Sequence, residues 1–251
     1  MKIFYFTATG NNLYVAKRIG GEIYSIPKLM KEKRYEFEDE KIGIVFPTYY
    51  GTVPKIVEGF LNKAKLKSNY FFAVATYGSL SRSVISNITE VGSRNGIKFS
   101  YANDLLMVDN YLPIFDMAKE IKKEPKKNIE ESLAKILKDI ENGHVYIKKY
   151  GAVMRFIGVA VDKLNPYPNG NEFEKNFSVE SNCIGCGICE KVCPVNNIEI
   201  DQKPSFKGNC QQCLACANHC PKKAIRLKTE KSKVRYINKN VTLKEIITAN
   251  N

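Results

Sequence analysis

Eight cysteines fall in two runs that have the same spacing. In each run three cysteines stand at intervals of three residues, and a fourth follows four residues later and precedes a proline. This is the bacterial [4Fe–4S] spacing, in which the fourth cysteine of each run binds the cluster held by the other run. We therefore predict two ligand sets, Cys183, Cys186, Cys189 and Cys220 for one cluster, and Cys210, Cys213, Cys216 and Cys193 for the other.

Disulfides and zinc sites are the alternatives for these cysteines. Disulfides are rare in cytosolic proteins, and zinc sites typically combine two pairs of ligands separated by a longer gap. No cysteine of the sequence lies outside the two runs. Two [4Fe–4S] clusters are therefore favoured. Because they need a reducing compartment, we expect a cytoplasmic protein of an anaerobe.

The two cysteine runs belong to an internal repeat. Residues 178–183 are similar to residues 205–210, and a pair of apolar β-formers follows each run. Each half is predicted to form a short strand, a ligand loop and a second short strand. Residues 178–228 resemble a two-cluster bacterial ferredoxin. About 50 residues cannot bury much apolar surface, so the clusters would form most of the core of such a domain.

Strand and helix patterns alternate in the first 143 residues. Apolar, β-rich runs predict strands at residues 2–6, 22–26, 41–46 and 69–75, and a fifth within residues 97–108. The clearest helix is predicted at residues 127–142, where apolar residues form one stripe. The alternation predicts an α/β fold, a flavodoxin-like doubly wound parallel five-stranded sheet of strand order 2-1-3-4-5.

Three loops follow strands 1, 3 and 4, whose carboxyl ends meet at the ligand-binding switch point of such a sheet. The first loop contains hydroxyls, a glycine and two asparagines but no lysine, so it is neither a Walker loop nor a dinucleotide GxGxxG loop. A phosphate there would meet backbone N–H groups, threonine hydroxyls and a helix N-terminus. The candidate cofactor-binding residues are Thr7, Ala8, Thr9, Gly10, Asn11 and Asn12 in the first loop, Pro47, Thr48, Tyr49, Tyr50 and Gly51 in the second, and Thr76, Tyr77, Gly78 and Ser79 in the third.

The first loop resembles the phosphate loop of flavodoxins, Thr/Ser-x-Thr-Gly-Asn-Thr, with Asn12 in place of the last threonine. The resemblance implies FMN, with the second and third loops placed against its isoalloxazine ring. Tyr49, Tyr50 and Tyr77 could stack on that ring and keep their hydroxyls in water. Tyr111, after the fifth strand, could cover the pocket.

A flavodoxin-like half followed by a two-cluster half resembles a family of flavodoxin–ferredoxin fusion proteins of anaerobes. This resemblance implies FMN, two [4Fe–4S] clusters and electron transfer between them. Stand-alone two-cluster ferredoxins are usually acidic, whereas residues 178–228 carry seven Lys or Arg and four Asp or Glu. The partners of those ferredoxins therefore cannot be carried over to this chain.

The sequence divides into four predicted segments. They are a flavodoxin-like FMN-binding domain (1–143), a linker with an apolar helix (144–177), a two-cluster ferredoxin domain (178–228) and a C-terminal tail of unassigned role (229–251). The apolar residues 151–161 could pack between the domains or against a second chain, which allows a homo-oligomer through residues 145–161. No apolar stretch is long enough to span a membrane, and the N-terminus shows no signal peptide.

The formal net charge is +13, which two anionic clusters would reduce. The lysines are either spread over a solvated surface or form a patch that steers an acidic redox partner protein. Nucleic acid is not an expected partner, because no recognised binding motif accompanies the charge. Of the two histidines, His219 stands beside a cluster cysteine and could form a hydrogen bond near a cluster. The favoured expectation is that it faces solvent.

Two classes of function follow from these parts. In the first, the protein is an electron carrier between protein partners. In the second, it is a ferredoxin-linked flavin reductase of a small molecule, which predicts a cavity beside the flavin. The carrier is favoured, since no catalytic acid, triad or NAD(P) fingerprint is visible and no catalytic residue is predicted. The partner, the potentials and the direction of electron flow are not determined by the sequence.

Overall fold

The computed structural model describes residues 1–151 and 167–251. The apolar helix predicted at residues 151–161 therefore lies, apart from Gly151, outside the described residues, as does most of the interface expected for a second chain. The strands of the N-terminal part are β1 (Lys2–Tyr5), β2 (Glu22–Ser25), β3 (Glu36–Glu38), β4 (Lys41–Pro47), β5 (Lys65–Lys67), β6 (Tyr70–Tyr77), β7 (Phe99–Leu106) and β8 (Tyr146–Ile147). Its helices are α1 (Asn11–Ile19), α2 (Ile26–Glu32), α3 (Lys55–Leu61), α4 (Val84–Arg94), α5 (Met117–Lys123) and α6 (Ile129–Glu141), with a 3-10 turn (Glu124–Lys127) after α5.

Six parallel strands form the central sheet in the order β2-β1-β4-β6-β7-β8. The first five of these confirm the predicted order 2-1-3-4-5. The sixth strand, β8, was not predicted, because a two-residue strand is too short to show an alternating pattern. Outside the main sheet, β3 pairs with β5.

The two central strands, β4 and β6, are buried along almost their whole length. Alternate residues of a strand point to opposite faces, so a sheet covered on both sides requires apolar residues at nearly every position. Helices α3 and α4 pack on one face, and α1 and α6 pack on the other. The resulting core holds the carboxyl ends of β1, β4 and β6 at one edge of the sheet.

A smaller second part contains the cysteine runs. Its elements are α7 (Gly170–Glu174), β9 (Phe177–Val179), α8 (Ile188–Lys191), β10 (Ile198–Asp201), β11 (Lys203–Phe206), α9 (Ala215–His219) and β12 (Ile225–Leu227). The strand pairs β10–β11 and β9–β12 are both antiparallel. The strands of one half therefore pair with those of the other, and each half has the strand–loop–strand order that the repeat predicts.

The ligand loops repeat in backbone conformation as well as in spacing. Gly185 and Gly187 have positive φ angles of 63° and 74°, and the equivalent residues of the second run, Gln212 and Leu214, both have φ of 58°. A left-handed backbone at a residue with a side chain costs about 1–3 kcal/mol. The second run therefore holds its loop in the strained conformation through the surrounding contacts rather than through glycine.

The C-terminal segment, residues 229–251, ends in helix α10 (Leu243–Asn250). The Thr242 hydroxyl accepts the backbone N–H of Glu245 at 3.3 Å, and the Glu245 carboxylate accepts that of Thr242 at 2.8 Å. These two bonds form a capping box. The helix packs against α2, and Glu245 pairs with Lys17 at 2.7 Å. No helix in residues 1–151 or 167–251 is both long and apolar enough to cross a membrane.

Replacing Thr242 by alanine should weaken α10 by about 1 kcal/mol, because the helix loses its side-chain cap. Native-state amide exchange in α10 would then be roughly fivefold faster. Thr248→Ala changes an exposed residue of the same helix and is the matched control. Equal exchange rates in the two variants would show that the cap does not hold this helix.

Candidate functional site

A cavity of about 560 Å³, called the main cavity below, lies at the carboxyl ends of β1, β4 and β6. The first, second and third loops (residues 7–12, 47–51 and 76–79) meet there because they follow three strands that are adjacent in the sheet. Of the fifteen candidate cofactor-binding residues, fourteen line the cavity. They are Thr7, Ala8, Thr9, Asn11, Asn12, Pro47, Thr48, Tyr49, Tyr50, Gly51, Thr76, Tyr77, Gly78 and Ser79.

The remaining candidate, Gly10, does not line the cavity. It is the N-cap of α1, with φ of 99°, and its backbone N–H donates to the Thr7 hydroxyl at 3.2 Å. A Cβ on Gly10 would lie 3.1 Å from the side chains of Asn238 and Val241. Gly10 therefore turns the chain into α1 while its outer side is covered by the C-terminal segment.

Side chains connect the first loop to its neighbours. The Thr76 hydroxyl donates to the Asn12 amide oxygen at 3.0 Å, and the Asn110 amide donates to the Thr9 hydroxyl at 2.6 Å. Asn12 is the position at which this loop departs from the flavodoxin pattern. Its amide supplies an acceptor for Thr76, so it joins the first loop to the third.

Tyrosines form one wall of the main cavity. The turn at residues 49–52 is closed by two backbone hydrogen bonds, and both of its central residues, Tyr50 and Gly51, have positive φ. The Tyr50 hydroxyl shares a hydrogen bond of 2.8 Å with the Tyr111 hydroxyl, and its ring lies 5.0 Å from that of Tyr167. This places Tyr111 in the lining of the main cavity. Tyr49 packs edge-on against Phe6 of the sheet at 6.0 Å.

The loop after β7 contributes cavity residues that were not among the candidates. Asp109 accepts the Ser79 hydroxyl at 3.2 Å, and burial raises the pKa of its carboxyl. The Lys127 ammonium donates to the backbone carbonyls of Gly78 and Met107 at 2.6 and 2.8 Å, which holds the third loop against the loop after β7. The only sequence signal for Asp109 is its place beyond the carboxyl end of the fifth predicted strand.

The second cysteine run (residues 210–220) also reaches the main cavity, through Gln212, Cys213 and Leu214. The buried hydroxyl of Thr48 and the buried amide oxygen of Gln212 have no hydrogen-bond partner among the described residues. Buried polar atoms are normally paired. Both atoms belong to residues that line the cavity, so a polar ligand held there would satisfy them.

A second, small cavity of about 20 Å³ is lined by all four cysteines of the first predicted ligand set. The other set also stands together. Burial raises the pKa of Cys213, and the nearby thiols of Cys210 and Cys193 raise it further. Burial also raises the pKa of Cys216, and the same three cysteines, together with Cys189 of the first set, raise it further. The structure thus brings the fourth cysteine of each run to the other run.

Backbone N–H groups point at several of the cysteine sulfurs. Asn197 donates to Cys193 at 3.2 Å, and Ala224 donates to Cys220 at 3.2 Å, at equivalent places in the repeat. Gln212 donates to Cys210 at 3.3 Å. In the described parts of the chain no three Cys, His, Asp or Glu side chains are grouped for a single metal ion. This finding is compatible with a [4Fe–4S] cluster, because in a cubane each thiolate binds a different iron.

The prediction that His219 faces solvent is wrong. Its side chain is buried, and its Nε2–H donates to the backbone carbonyl of Ala8 at 3.0 Å. Burial lowers the pKa of the imidazole, which favours the neutral form. His219 therefore attaches the second cysteine run to the first loop. Sequence reasoning could not find this contact, because its partner is a backbone carbonyl 211 residues away.

Residues 182–224 match the protein family described as "4Fe-4S dicluster domain". This match supports iron–sulfur clusters in this part of the chain and a redox, electron-transfer role. No curated protein matches the chain significantly.

Two solved structures are similar to part of the chain. A protein from Bacteroides uniformis described as a flavoprotein has 15% identity and a TM-score of 0.33, over 48% of this chain and 94% of that one. Rubredoxin oxygen:oxidoreductase from the anaerobe Desulfovibrio gigas has the same identity and TM-score over 55% of this chain. The match spans 35% of that oxidoreductase.

Paired cysteine variants test the grouping of the thiols. Cys183→Ala with Cys220→Ala removes two members of one set, so about four of about eight irons should remain. Cys183→Ala with Cys193→Ala removes one member of each set, so little iron should remain. Iron and sulfide would be measured in anaerobically purified protein. Equal iron content in the two double variants would show that the thiols are grouped differently.

Proposed function

We propose that the chain is an electron-transfer flavo-iron–sulfur protein, which links two [4Fe–4S] clusters to FMN and passes electrons on to a redox partner. The observation that carries this proposal is the main cavity. The three strand-end loops and Cys213 of the second cysteine run line the same space. A cofactor in that cavity would therefore lie beside a cysteine of the dicluster domain.

The cavity fits FMN in the types of group that line it. The first loop would hold the phosphate with backbone N–H groups at the start of α1 and with the hydroxyls of Thr7 and Thr9. The tyrosine wall offers flat apolar surface for the ring. The unpaired oxygens of Thr48 and Gln212 accept hydrogen bonds from polar groups of a ligand.

Each part has a separate task in this proposal. A flavin exchanges one or two electrons and a cluster exchanges one, so the two together connect single-electron carriers to two-electron chemistry. The residues that line the main cavity would hold the flavin close to the cluster beside Cys213 and keep water out of the space between the two cofactors. The proposed ligands of one cluster are Cys183, Cys186, Cys189 and Cys220. Those of the other cluster are Cys210, Cys213, Cys216 and Cys193.

The cellular compartment and the chemistry of the redox partner are also part of the proposal. Cysteines that ligate iron–sulfur clusters must stay reduced, which favours the cytoplasm of an anaerobe. A formal net charge of +13 favours an acidic protein partner through long-range attraction. That attraction would be screened by salt.

A second candidate function, flavin-dependent reduction of a small molecule, is favoured by the outer end of the main cavity. Leu80 and Ile114 line the cavity, yet their side chains are 56% and 62% exposed, so they form an apolar mouth. Phe115 and the hydroxyl pair of Tyr50 and Tyr111 line the same cavity. An apolar molecule that carries a carbonyl could enter beside the ring position.

Cofactor content tests the main proposal. Anaerobically purified protein should hold one FMN and about eight irons per chain. Gly78→Ala should weaken FMN binding about tenfold or more, because the new Cβ would lie 2.3 Å from Asp109. Gly59→Ala, whose Cβ meets nothing closer than 3.9 Å, is the matched control. Flavin-free protein with a full iron content would refute the flavin half of the proposal.

Turnover separates the two candidate functions. The dithionite-reduced protein would be mixed anaerobically with small acceptors, a quinone and an α,β-unsaturated ketone, without any second protein. A carrier should give no more than one slow oxidation, because its electrons leave to a protein partner rather than to a bound small molecule. Sustained turnover that Ile114→Lys abolishes, with FMN and iron retained, would establish the reductase instead.

A further inference from the structure

The C-terminal segment, whose role the sequence did not indicate, passes directly behind the first loop. The backbone N–H of Asn238 donates to the Thr9 carbonyl at 2.8 Å. The Asn238 amide and the Tyr236 hydroxyl both donate to the Asn11 side-chain oxygen, at 3.0 and 2.9 Å. All four residues that take part in these bonds are at least nine-tenths buried.

These contacts, with one to Val108, hold the side-chain amide of Asn11 in place. Its amide oxygen takes both donors from the C-terminal segment, and its amide nitrogen donates to the carbonyl of Val108 at 3.4 Å. Asn11 is the first residue of α1, so its backbone N–H is one of the helix N-terminal donors without an intrahelical partner. Asn11 also lines the main cavity, so hydrogen bonds that hold its side chain help to position this N–H beside the cavity.

Gly10 shows that the fit behind the loop is close. A Cβ there would lie 3.1 Å from the Cβ atoms of Asn238 and Val241. The segment thus covers the outer side of the loop, and the loop cannot move away from the cavity without displacing it.

The segment is anchored on both sides of this contact. Before it, Arg235 donates to the Ala217 carbonyl at 3.0 Å, and the backbone N–H of Tyr236 donates to the Asn218 amide oxygen at 3.1 Å, both within the second cysteine run. After it, α10 packs against α2, and the Asn250 amide donates to the carbonyl of Val192 at 3.0 Å, beside Cys193. The segment therefore fastens the first loop to the dicluster domain.

We propose that Tyr236 and Asn238 are positioning residues for the phosphate end of the flavin, and that the C-terminal segment completes this site from behind the loop. The inference rests on the proposed binding of FMN. It goes beyond that proposal by giving residues 229–251 a task, and by making phosphate recognition depend on a segment that the dicluster domain holds in place.

A comparison of FMN with riboflavin tests the inference, because riboflavin lacks the phosphate. Flavin-depleted, full-length protein with its clusters intact would be titrated with each ligand, and binding followed by flavin fluorescence. Asn238→Ala and Tyr236→Phe each remove a hydrogen bond to Asn11, so FMN should bind about three- to tenfold more weakly in each variant. Riboflavin affinity should stay within about twofold of wild type, because the loops around the ring are untouched.

Ile237→Ala is the matched control, since this exposed side chain lies between the two positioning residues in sequence. Its affinity for both ligands should equal that of wild type. Unchanged FMN affinity in Asn238→Ala and Tyr236→Phe, or an equal loss for FMN and riboflavin, would overturn the inference. Failure of the wild-type protein to bind FMN is a different result and would overturn the proposed function instead.

Discussion

The second cysteine run is packed against the carboxyl end of the parallel sheet, and the arrangement of the molecule depends on this joint. Cys213 contacts the apolar clusters on both faces of the sheet and also lines the main cavity. Apolar packing is not directional. A hydrogen bond that spans the joint, from His219 to the Ala8 carbonyl at 3.0 Å, sets its geometry.

Packing against the sheet also explains how a small domain that buries little apolar surface by itself is stabilised. The strands of the dicluster part are three or four residues long, and some of its buried side chains pack on the sheet. Val192 and Ala215, for example, belong to the apolar cluster that covers β1 and β6. Contacts with the larger part therefore supply burial that a domain of about 50 residues cannot generate alone.

The sequence predicted those features that depend on local pattern. The order of five strands followed from apolar runs separated by helical stripes. The loop residues followed from the rule that ligands bind where the strand order reverses. Fourteen of the fifteen loop residues line one cavity for that reason. The repeat in the cysteine runs was visible because equivalent residues have equivalent spacing.

Features that depend on contacts between distant segments were not predicted. The sequence predicted that Gly10 binds the cofactor, yet the position that a side chain would take at Gly10 lies against Asn238, 228 residues later in the chain. His219 looked exposed because nothing near it in sequence offers a partner. The left-handed backbone of Gln212 and Leu214 could not be foreseen either, since these residue types do not favour it. In each case the determining group is brought in by the fold.

Intramolecular electron exchange is the most direct test of the central claim that one joint brings a flavin and an iron–sulfur cluster together. The flavin of the purified protein would be photoreduced by a laser flash under anaerobic conditions, and the absorbance of flavin and clusters followed over a tenfold range of protein concentration. The account predicts that electrons redistribute between flavin and clusters at a rate independent of protein concentration. A rate proportional to concentration would contradict it, because exchange would then require two molecules to collide.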